Sequence, residues 1–275
     1  MVPLLSLSLL AGFVVDHAAY GDDPKQQIDV THPVVVAGGS AAAPIVIFLH
    51  GGVWQMGDRA DSRHVGDALA ARGIVTVTAS YRLAPRHRWP SQIEDAAAIV
   101  ALVKKRATSW GADPRRIVLV GHSAGGQLAT LLLYDPAFLG KHGLSRADIA
   151  GVVAISGVFD LRAPLDEGQD DGGFARFVAP VFGHDVKVLR AASPIDVVTA
   201  TGIPQLFITG TADYRAMRTQ TAEMVRTMAL RGEKVPVVVV DGADHFGLVA
   251  NIGEPGDPVT AAIVAFVGRL PAPKP

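Results

Sequence analysis

The chain has 275 residues, of which 49% are hydrophobic and 19% are charged, and its formal net charge is −1 at pH 7. This composition excludes a disordered chain, and no basic stripe of the kind that binds nucleic acid is visible. Cysteine is absent, which excludes disulfides, thiolate metal sites and a cysteine nucleophile. A chain of this length and composition is expected to fold as a single domain over residues 1–275.

The first apolar stretch is Leu4–Val15, which is about as long as the core of a signal peptide and too short to span a bilayer. No lysine or arginine precedes it, since the first is Lys25, and no small-x-small cleavage site follows it. We therefore expect residues 1–16 to pack on the domain, with a signal-like segment as the alternative. The same features favour a cytoplasmic location over export and argue against stable insertion into a membrane.

Short apolar runs rich in valine and isoleucine then alternate with amphipathic stretches. Such runs are typical of strands that are buried on both faces of a sheet. They predict eight strands, at Ile28–Val30, Val34–Ala37, Ile45–Leu49, Ile74–Thr78, Ile117–Val120, Val152–Ile155, Leu206–Thr209 and Val237–Val240.

Helical patterns lie between these runs. One of them begins with Ser91-Gln-Ile-Glu94, a capping-box sequence. The alternation of strands and helices indicates a parallel sheet with helices on both faces. The helices are predicted at Ser62–Arg72, from Ser91 onward, from Ala124 to about Tyr134, at Met217–Leu230, and along the apolar stripe Val259–Leu270.

The alternation breaks between Phe159 and Pro204, where no strand is evident. An acidic, glycine-rich piece over residues 166–173 is followed by an apolar piece, Phe174–Phe182. A connection of this length inside a compact domain is usually a lid or a functional loop. We therefore expect a lid over residues 161–200, and we interpret its acidic residues as a solvated loop rather than a metal site.

Residues 117–126 read Ile-Val-Leu-Val-Gly-His-Ser-Ala-Gly-Gly. A buried strand that ends in Gly-x-Ser-x-Gly and leads into a helix has the pattern of a nucleophile elbow. The turn is so tight that the residues flanking the serine must be nearly free of side chains, and Gly121 and Gly125 meet that demand. The pattern predicts Ser123 as a nucleophile, with an ordinary strand–helix turn as the alternative.

A serine nucleophile needs a base, usually a histidine that is held in one tautomer by a carboxylate. Asp213 follows the strand Leu206–Thr209, and His245 follows the strand Val237–Val240. Both should therefore lie at the same edge of the sheet as Ser123. The order serine, aspartate, histidine is that of an α/β-hydrolase triad.

Each of these residues also has a simpler interpretation. Asp213 could end a strand or cap the helix that begins nearby, and a histidine in a glycine-rich loop is often a surface residue. Asp241 and Asp244 compete with Asp213, but they lie too close to His245 in sequence to orient it from another loop. The three residues together, in order and at strand ends, favour a triad.

An oxyanion site is predicted at His50-Gly-Gly-Val-Trp54, which directly follows the strand Ile45–Leu49. Its glycines allow the backbone to approach the elbow and to turn N–H groups inward, although a plain turn is the alternative. The donors are expected to be the N–H groups of Gly51, Gly52, Val53 and Ala124. Substrate contacts are predicted for Trp54, His122 and Phe246, with a place in the core as an equal alternative for Trp54.

Four blocks of the chain resemble the esterase and lipase group of α/β-hydrolases that is related to hormone-sensitive lipase and the bacterial carboxylesterases. The resemblance implies an α/β-hydrolase fold, with a mostly parallel, twisted, eight-stranded sheet flanked by helices and a small lid after the sixth strand. It also implies that the second block, together with Trp89-Pro90 and Asp95, buttresses the elbow. The blocks are His50–Trp54, Tyr81-Arg-Leu-Ala-Pro85, Gly121–Gly126, and Asp213 with His245-Phe246.

The resemblance implies a serine hydrolase that cleaves small-molecule carboxylic esters through an acyl-enzyme and needs no metal or organic cofactor. A short acyl chain is expected, because only about 27 residues precede the first predicted strand and the N-terminal cap of hormone-sensitive-lipase-like enzymes is reduced. Edge strands of this fold often pair, so a homodimer is an option, although nothing in the sequence decides the oligomeric state.

Two departures from the family pattern concern the substrate. Val53 stands where the family has a third glycine, and Trp54-Gln55 resembles the arylformamidase branch. An amide hydrolase of the arylformamidase kind is therefore an alternative function. A non-catalytic binding module on the same fold is the alternative from another class.

Overall fold

The computed structural model describes residues 13–33, 42–165 and 172–271 of the chain, and within these ranges eight strands form one sheet. The strands are β1 (Phe13–Ala19), β2 (Gln27–Pro33), β3 (Ala43–Leu49), β4 (Val75–Ala79), β5 (Ala112–His122), β6 (Gly151–Ile155), β7 (Gln205–Gly210) and β8 (Val237–Val240). Their order across the sheet is β1-β2-β4-β3-β5-β6-β7-β8. The first two pairings are antiparallel and all later ones are parallel. The prediction of a mostly parallel, eight-stranded sheet is confirmed.

The helices of the described ranges connect these strands and cover both faces of the sheet. Three short 3₁₀ turns and one π-helical turn, Phe174–Val178, lie among them. The α-helices are α1 (Arg63–Ala70), α2 (Ser91–Arg106), α3 (Ala124–Tyr134), α4 (Ala137–Gly140), α5 (Ala179–Phe182), α6 (Val186–Ala191), α7 (Pro194–Val197), α8 (Arg215–Leu230), α9 (Gly247–Ala250) and α10 (Pro258–Arg269).

The sheet separates two apolar layers. On one face α2, α3 and α8 contribute side chains such as Leu128, and on the other face α1 and α10 contribute side chains such as Ile263. Successive side chains of β5 go to opposite layers, with Leu119 in the first and Val120 in the second, because the side chains of a strand alternate. Burial on both faces is the physical reason why the inner strands read as continuous apolar runs.

The N-terminal part of the sheet corrects the sequence prediction. Within the described residues the first strand begins at Phe13 rather than at Ile28, so the count of about 27 preceding residues is wrong. Strand β1 pairs with β2 along its length, and His17 Nδ1 lies 2.7 Å from Asp29 Oδ1 on the neighbouring strand. Polar residues in β1 interrupt the apolar run that would have indicated a strand. The predicted strand Val34–Ala37 and the start of the segment 1–16 lie outside the described residues.

The capping box predicted at the start of α2 is also wrong. Ser91 is already the first helical residue, Pro90 precedes it, and no side chain caps the helix. The N–H of Glu94 donates to the Pro90 carbonyl, while the Glu94 carboxylate accepts from Lys141 Nζ at 2.8 Å. The helix therefore begins one residue too early for Ser91 to occupy the cap position.

The connection from β6 to β7 contains no strand within the described residues, as expected. Residues 172–200 instead hold the π-helical turn and α5, α6 and α7. The acidic piece over residues 166–171 lies outside the described ranges. Of the helices that the structure describes, none is long and apolar enough to cross a membrane.

Candidate active site

Ser123 occupies the sharp turn between β5 and α3. Its backbone has φ 53° and ψ −116°, a region that is strained for a residue with a side chain. A Cβ atom on Gly121 would lie 2.1 Å from the Gly125 carbonyl oxygen, and one on Gly125 would lie 2.0 Å from the Leu49 carbonyl oxygen. Both flanking positions must therefore be glycine, and the turn has the geometry expected of a nucleophile elbow.

The first turn of α3 lies directly behind this serine. The N–H of Gln127 donates to the Ser123 carbonyl and begins the hydrogen-bond ladder of the helix. The N–H groups before it have no partner within a helix, and they carry the partial positive charge of the helix N-terminus. Ala124 is the first residue of α3, so its N–H is placed to receive a negative charge that develops next to Ser123.

Asp213 and His245 meet at the ends of β7 and β8. His245 Nδ1 lies 2.9 Å from Asp213 Oδ1, and both side chains are buried. The Tyr214 N–H donates to the same oxygen, Asp213 Oδ1, at 2.7 Å. Burial alone would raise the pKa of Asp213, but hydrogen bonds from His245 and Ser156 outweigh it and hold that pKa below its ordinary value. The carboxylate is therefore charged at neutral pH and can stabilise a protonated His245.

Ser156 joins this pair and was missed by the sequence analysis. It follows β6 directly, its φ is 47°, and its Oγ donates to Asp213 Oδ2 at 2.6 Å. The same Oγ lies 2.9 Å from His245 Nδ1. Ser156, Asp213 and His245 are thus mutually hydrogen bonded. The one signal in the sequence was a serine immediately after the predicted strand Val152–Ile155, at the sheet edge that also carries the other site residues.

A single cavity of about 960 Å³ brings Ser123 and His245 together. Gly51, Gly52 and Val53 line the same cavity. Within the described ranges, the His245 ring makes its hydrogen bonds through Nδ1, which leaves Nε2 as the nitrogen that can take a proton. The cavity is therefore lined by a serine, a histidine and a glycine-rich loop.

The loop after β3 approaches the elbow because its backbone turns through left-handed conformations. The φ angles are 107° at Gly52, 46° at Val53 and 60° at Trp54. A β-branched residue such as Val53 rarely adopts this region, so the loop is strained. A Cβ atom on Gly51 would lie only 3.2 Å from the Ser123 Cβ. This close approach places the Gly51–Val53 backbone next to the serine.

Tyr81 fixes the start of the loop after β3 by two contacts with His50. Its hydroxyl donates to the His50 carbonyl at 2.9 Å, and its ring stacks on the His50 ring with 4.3 Å between centroids. Arg82 is anchored in turn by Asp95, with Nη2 and Oδ1 separated by 2.7 Å. These contacts give the Tyr81–Pro85 block a structural role, because Tyr81 connects it to the loop that follows β3.

Trp54 lies in the core and not in the cavity. Its side chain is 0% exposed, its Nε1 donates to Gln127 Oε1 at 3.0 Å, and its ring packs edge-on against Phe182. The prediction that Trp54 contacts substrate is therefore wrong, and the alternative interpretation as a core residue fits. The left-handed backbone of the loop explains the outcome, because it turns the indole away from the cavity that Val53 lines.

His122 and Phe246 both line the cavity. His122 Nε2 lies 2.9 Å from the backbone carbonyl oxygen of His245, so the imidazole N–H holds the His245 loop against β5. Burial, together with the nearby His245, lowers the pKa of His122 to about 3, so the ring is uncharged at neutral pH. Phe246 is 67% exposed at the cavity rim.

The competing carboxylates have other partners. Asp241 Oδ1 accepts from the Thr211 hydroxyl at 3.1 Å, and Asp244 Oδ1 accepts from the Gly247 N–H at 2.7 Å. The carboxylate that contacts the His245 ring is that of Asp213. In the described part of the chain, no group of three or more histidine, aspartate or glutamate side chains could hold a metal ion.

The sequence is similar to a protein-family model and to proteins that are named as esterases. The family model BD-FAE matches residues 29–228. Esterase LipC of Mycobacterium tuberculosis is 33% identical over 266 residues, which cover 91% of this chain and 64% of LipC. Carboxylesterase NlhH of the same organism is 30% identical over 219 residues, which cover 75% of this chain and 68% of NlhH. The chain spans about half to two thirds of the length of the first curated relatives that it matches.

Solved structures support the fold. Esterase B from Lactobacillus rhamnosis superposes with a TM-score of 0.78 at 22% sequence identity, covering 92% of this chain and 87% of that one. The α/β-hydrolase fold predicted from the resemblance is therefore confirmed. LipC and NlhH are both named as esterases, so the arylformamidase alternative gains no support from them.

Proposed function

The chain belongs to the BD-FAE family, and on this premise we propose that it is a serine hydrolase that cleaves carboxylic esters of small molecules. The observation that carries the proposal is the shared cavity wall, on which Ser123 lies in a strained elbow beside His245 and the Gly51–Val53 loop. The Asp213 carboxylate contacts His245 Nδ1, on the side of the ring opposite Nε2. The esterase names of LipC and NlhH agree with this function.

In the first half of the reaction, the Ser123 hydroxyl attacks the ester carbonyl carbon. His245 Nε2 takes the hydroxyl proton, and the Asp213 carboxylate stabilises the resulting imidazolium. His245 then donates that proton to the alcohol oxygen as the carbon–oxygen bond breaks. The alcohol leaves, and the acyl group remains on Ser123.

In the second half, His245 removes a proton from water, and the resulting hydroxide attacks the acyl-enzyme. The proton returns to Ser123 as the acid leaves, so the enzyme is restored. In both halves the carbonyl oxygen becomes negatively charged. The N–H groups of Gly51, Gly52, Val53 and Ala124 are the candidate donors to that oxygen, and one such donor is typically worth about 100- to 1,000-fold in rate.

A short acyl group remains the proposed substrate preference. The cavity, at about 960 Å³, lies at the upper end of ordinary ligand sites, so it has room for the alcohol part beside a short acyl chain. Val53 lines the cavity and occupies space that a glycine would leave open. The segment over residues 161–200 remains a proposed lid, since Leu165 and Phe177 line the cavity.

Hydrolysis of p-nitrophenyl esters tests the proposed function. We expect the wild type to hydrolyse p-nitrophenyl butyrate faster than the decanoate ester, and Ser123→Ala to lower kcat/KM by about 10⁴-fold or more because the nucleophile is lost. Ser62→Ala is the matched control, since Ser62 is a second buried serine on the same cavity and should keep its activity. Full activity in Ser123→Ala would refute the proposal.

A further inference from the structure

The strongest feature outside the proposed triad is the hydroxyl of Ser156. It lies between the two residues that support the base, 2.6 Å from Asp213 Oδ2 and 2.9 Å from His245 Nδ1. The side chain is 0% exposed. It therefore cannot reach solvent, and every hydrogen bond that it makes is internal.

Counting protons fixes the direction of each bond. An ionised carboxylate only accepts, so the single Ser156 proton is donated to Asp213 Oδ2. The Ser156 oxygen can then only accept from His245 Nδ1, which means that Nδ1 carries the proton. This N–H is shared between Ser156 Oγ and Asp213 Oδ1. The opposite tautomer would place a lone pair of Nδ1 against two acceptor oxygens.

A proton on Nδ1 of His245 also decides the state of the other ring nitrogen, Nε2. A neutral imidazole with its proton on Nδ1 has its lone pair on Nε2, which is the nitrogen that must take the serine proton. Two oxygen acceptors at Nδ1 also fix the plane of the ring more firmly than one would. Ser156 therefore acts on the base through the nitrogen that faces away from the chemistry.

Asp213 depends on the same hydroxyl. The oxygen Oδ1 accepts from the Tyr214 N–H and from His245, whereas Oδ2 accepts from Ser156 at 2.6 Å and from Thr209 Oγ1 only at 3.5 Å. Without Ser156, one oxygen of a buried carboxylate would keep only a long contact. The carboxylate would then be free to turn away from the His245 ring.

Ser156 itself is not placed to be the nucleophile. It does not line the cavity that contains Ser123, and it contacts the same His245 nitrogen that Asp213 uses. Its backbone is held in a left-handed conformation, φ 47°, while its N–H donates to the Ile208 carbonyl. Such strain in a residue with a side chain is typical of functional positions, because glycine would adopt the same backbone more readily.

We propose that Ser156 is a positioning residue that fixes the tautomer and the orientation of the Asp213–His245 pair. This inference rests on the proposed function of the site. Ser156 touches neither the cavity nor the reacting atoms, so its removal should lower kcat and leave KM unchanged.

Two substitutions separate the hydroxyl from the backbone. Ser156→Ala removes the hydroxyl and keeps a strained backbone, whereas Ser156→Gly removes the hydroxyl and relieves the strain. We expect kcat to fall by about 10- to 100-fold in both variants, as for loss of a hydrogen bond to a charged group. Thr209→Val is the matched control, because its hydroxyl contacts the same Asp213 oxygen only at 3.5 Å. Its kcat should stay close to that of the wild type.

A proton NMR measurement on the substrate-free protein gives a second readout. The shared Nδ1–H proton of His245 should resonate far downfield in the wild type and should shift in both Ser156 variants, but not in Thr209→Val. Wild-type kcat in Ser156→Gly, or an unchanged resonance in that variant, would overturn the inference. So would loss of activity confined to Ser156→Ala, since that result would point to folding alone.

These outcomes are distinct from failure of the proposed function. If the wild type hydrolyses no ester, the proposed function fails, and the NMR resonance still tests whether Ser156 holds the pair. If the wild type is active and Ser156→Gly is equally active, the proposed function stands and the inference about Ser156 is wrong.

Discussion

Burial of His122 beside His245 disfavours the protonated form of its ring. The ring is buried beside His245, and its pKa falls from an ordinary 6.5 to about 3, first because of burial and then because of the charge that His245 can carry. The unfolded chain binds a proton at this position well before the folded chain does. The stability that this group contributes is therefore fully present above pH 6.5 and is lost as the pH falls towards 3.

Replacing His122 with glutamine should remove this dependence. Glutamine does not titrate and can still donate to the His245 carbonyl. Between pH 8 and pH 5 the free energy of unfolding of the wild type should fall by roughly 2 kcal/mol more than that of His122→Gln, since each pH unit below 6.5 costs about 1.4 kcal/mol. Urea unfolding at several pH values measures this difference. Parallel pH profiles for the two proteins would contradict a neutral, buried His122.

The site residues differ in how visible they are in the sequence. Ser123 is visible because the tight turn demands glycines at fixed positions, and Asp213 and His245 are visible because they follow strands. Ser156 also follows a strand, but a lone serine there has no spacing that sets it apart from an ordinary turn residue. Trp54 has two interpretations because indole suits a pocket and a core equally, and only the left-handed loop decides between them.

At the scale of the elements, β8 is the last strand of the sheet. It pairs with β7, and within the described residues no strand covers its other side. Val239 on this strand is 58% exposed. An apolar edge with unpaired backbone groups is a template for pairing with another chain. We therefore propose this edge as the contact of a homodimer in which β8 of each copy pairs with β8 of the other.

Light scattering after size-exclusion chromatography tests the dimer. We expect the wild type to have twice its chain mass of 28.7 kDa, and Val239→Lys to have the mass of one chain, because a charge on the edge opposes pairing. Val186→Lys is the control, since Val186 is an exposed valine on α6. A wild type that stays monomeric at every concentration would rule out this contact.

The elements that the sequence predicts well are those buried on both faces. The inner strands β3 and β6 and the segment Ile117–Val120 of β5 are runs of buried apolar residues, so they stand out. Strand β1 lies at the opposite edge and mixes apolar and polar residues, because Asp16 and His17 pair with side chains of β2. Such an edge strand has no continuous apolar run and is recognised only from its pairing.

At the scale of the whole molecule, the parallel sheet is what assembles the site. Asp213 and His245 are 32 positions apart, and Ser156 is 89 positions from His245, yet all three meet where their strands end. The sequence predicts that Asp213 and His245 share one edge of the sheet with Ser123, because parallel strands end together, but it does not single out Ser156. It does not predict the distances between them, since these depend on sheet twist and on how each loop turns.

The central claim is that Ser123 is the nucleophile, and active-site labelling tests it most directly. A fluorophosphonate reacts with an activated serine, and mass spectrometry of the digested protein identifies the peptide that carries the adduct. We predict a single adduct per chain, on Ser123, and none in Ser123→Ala. An adduct on Ser62 or Ser156 in the wild type, or labelling that persists in Ser123→Ala, would contradict the claim.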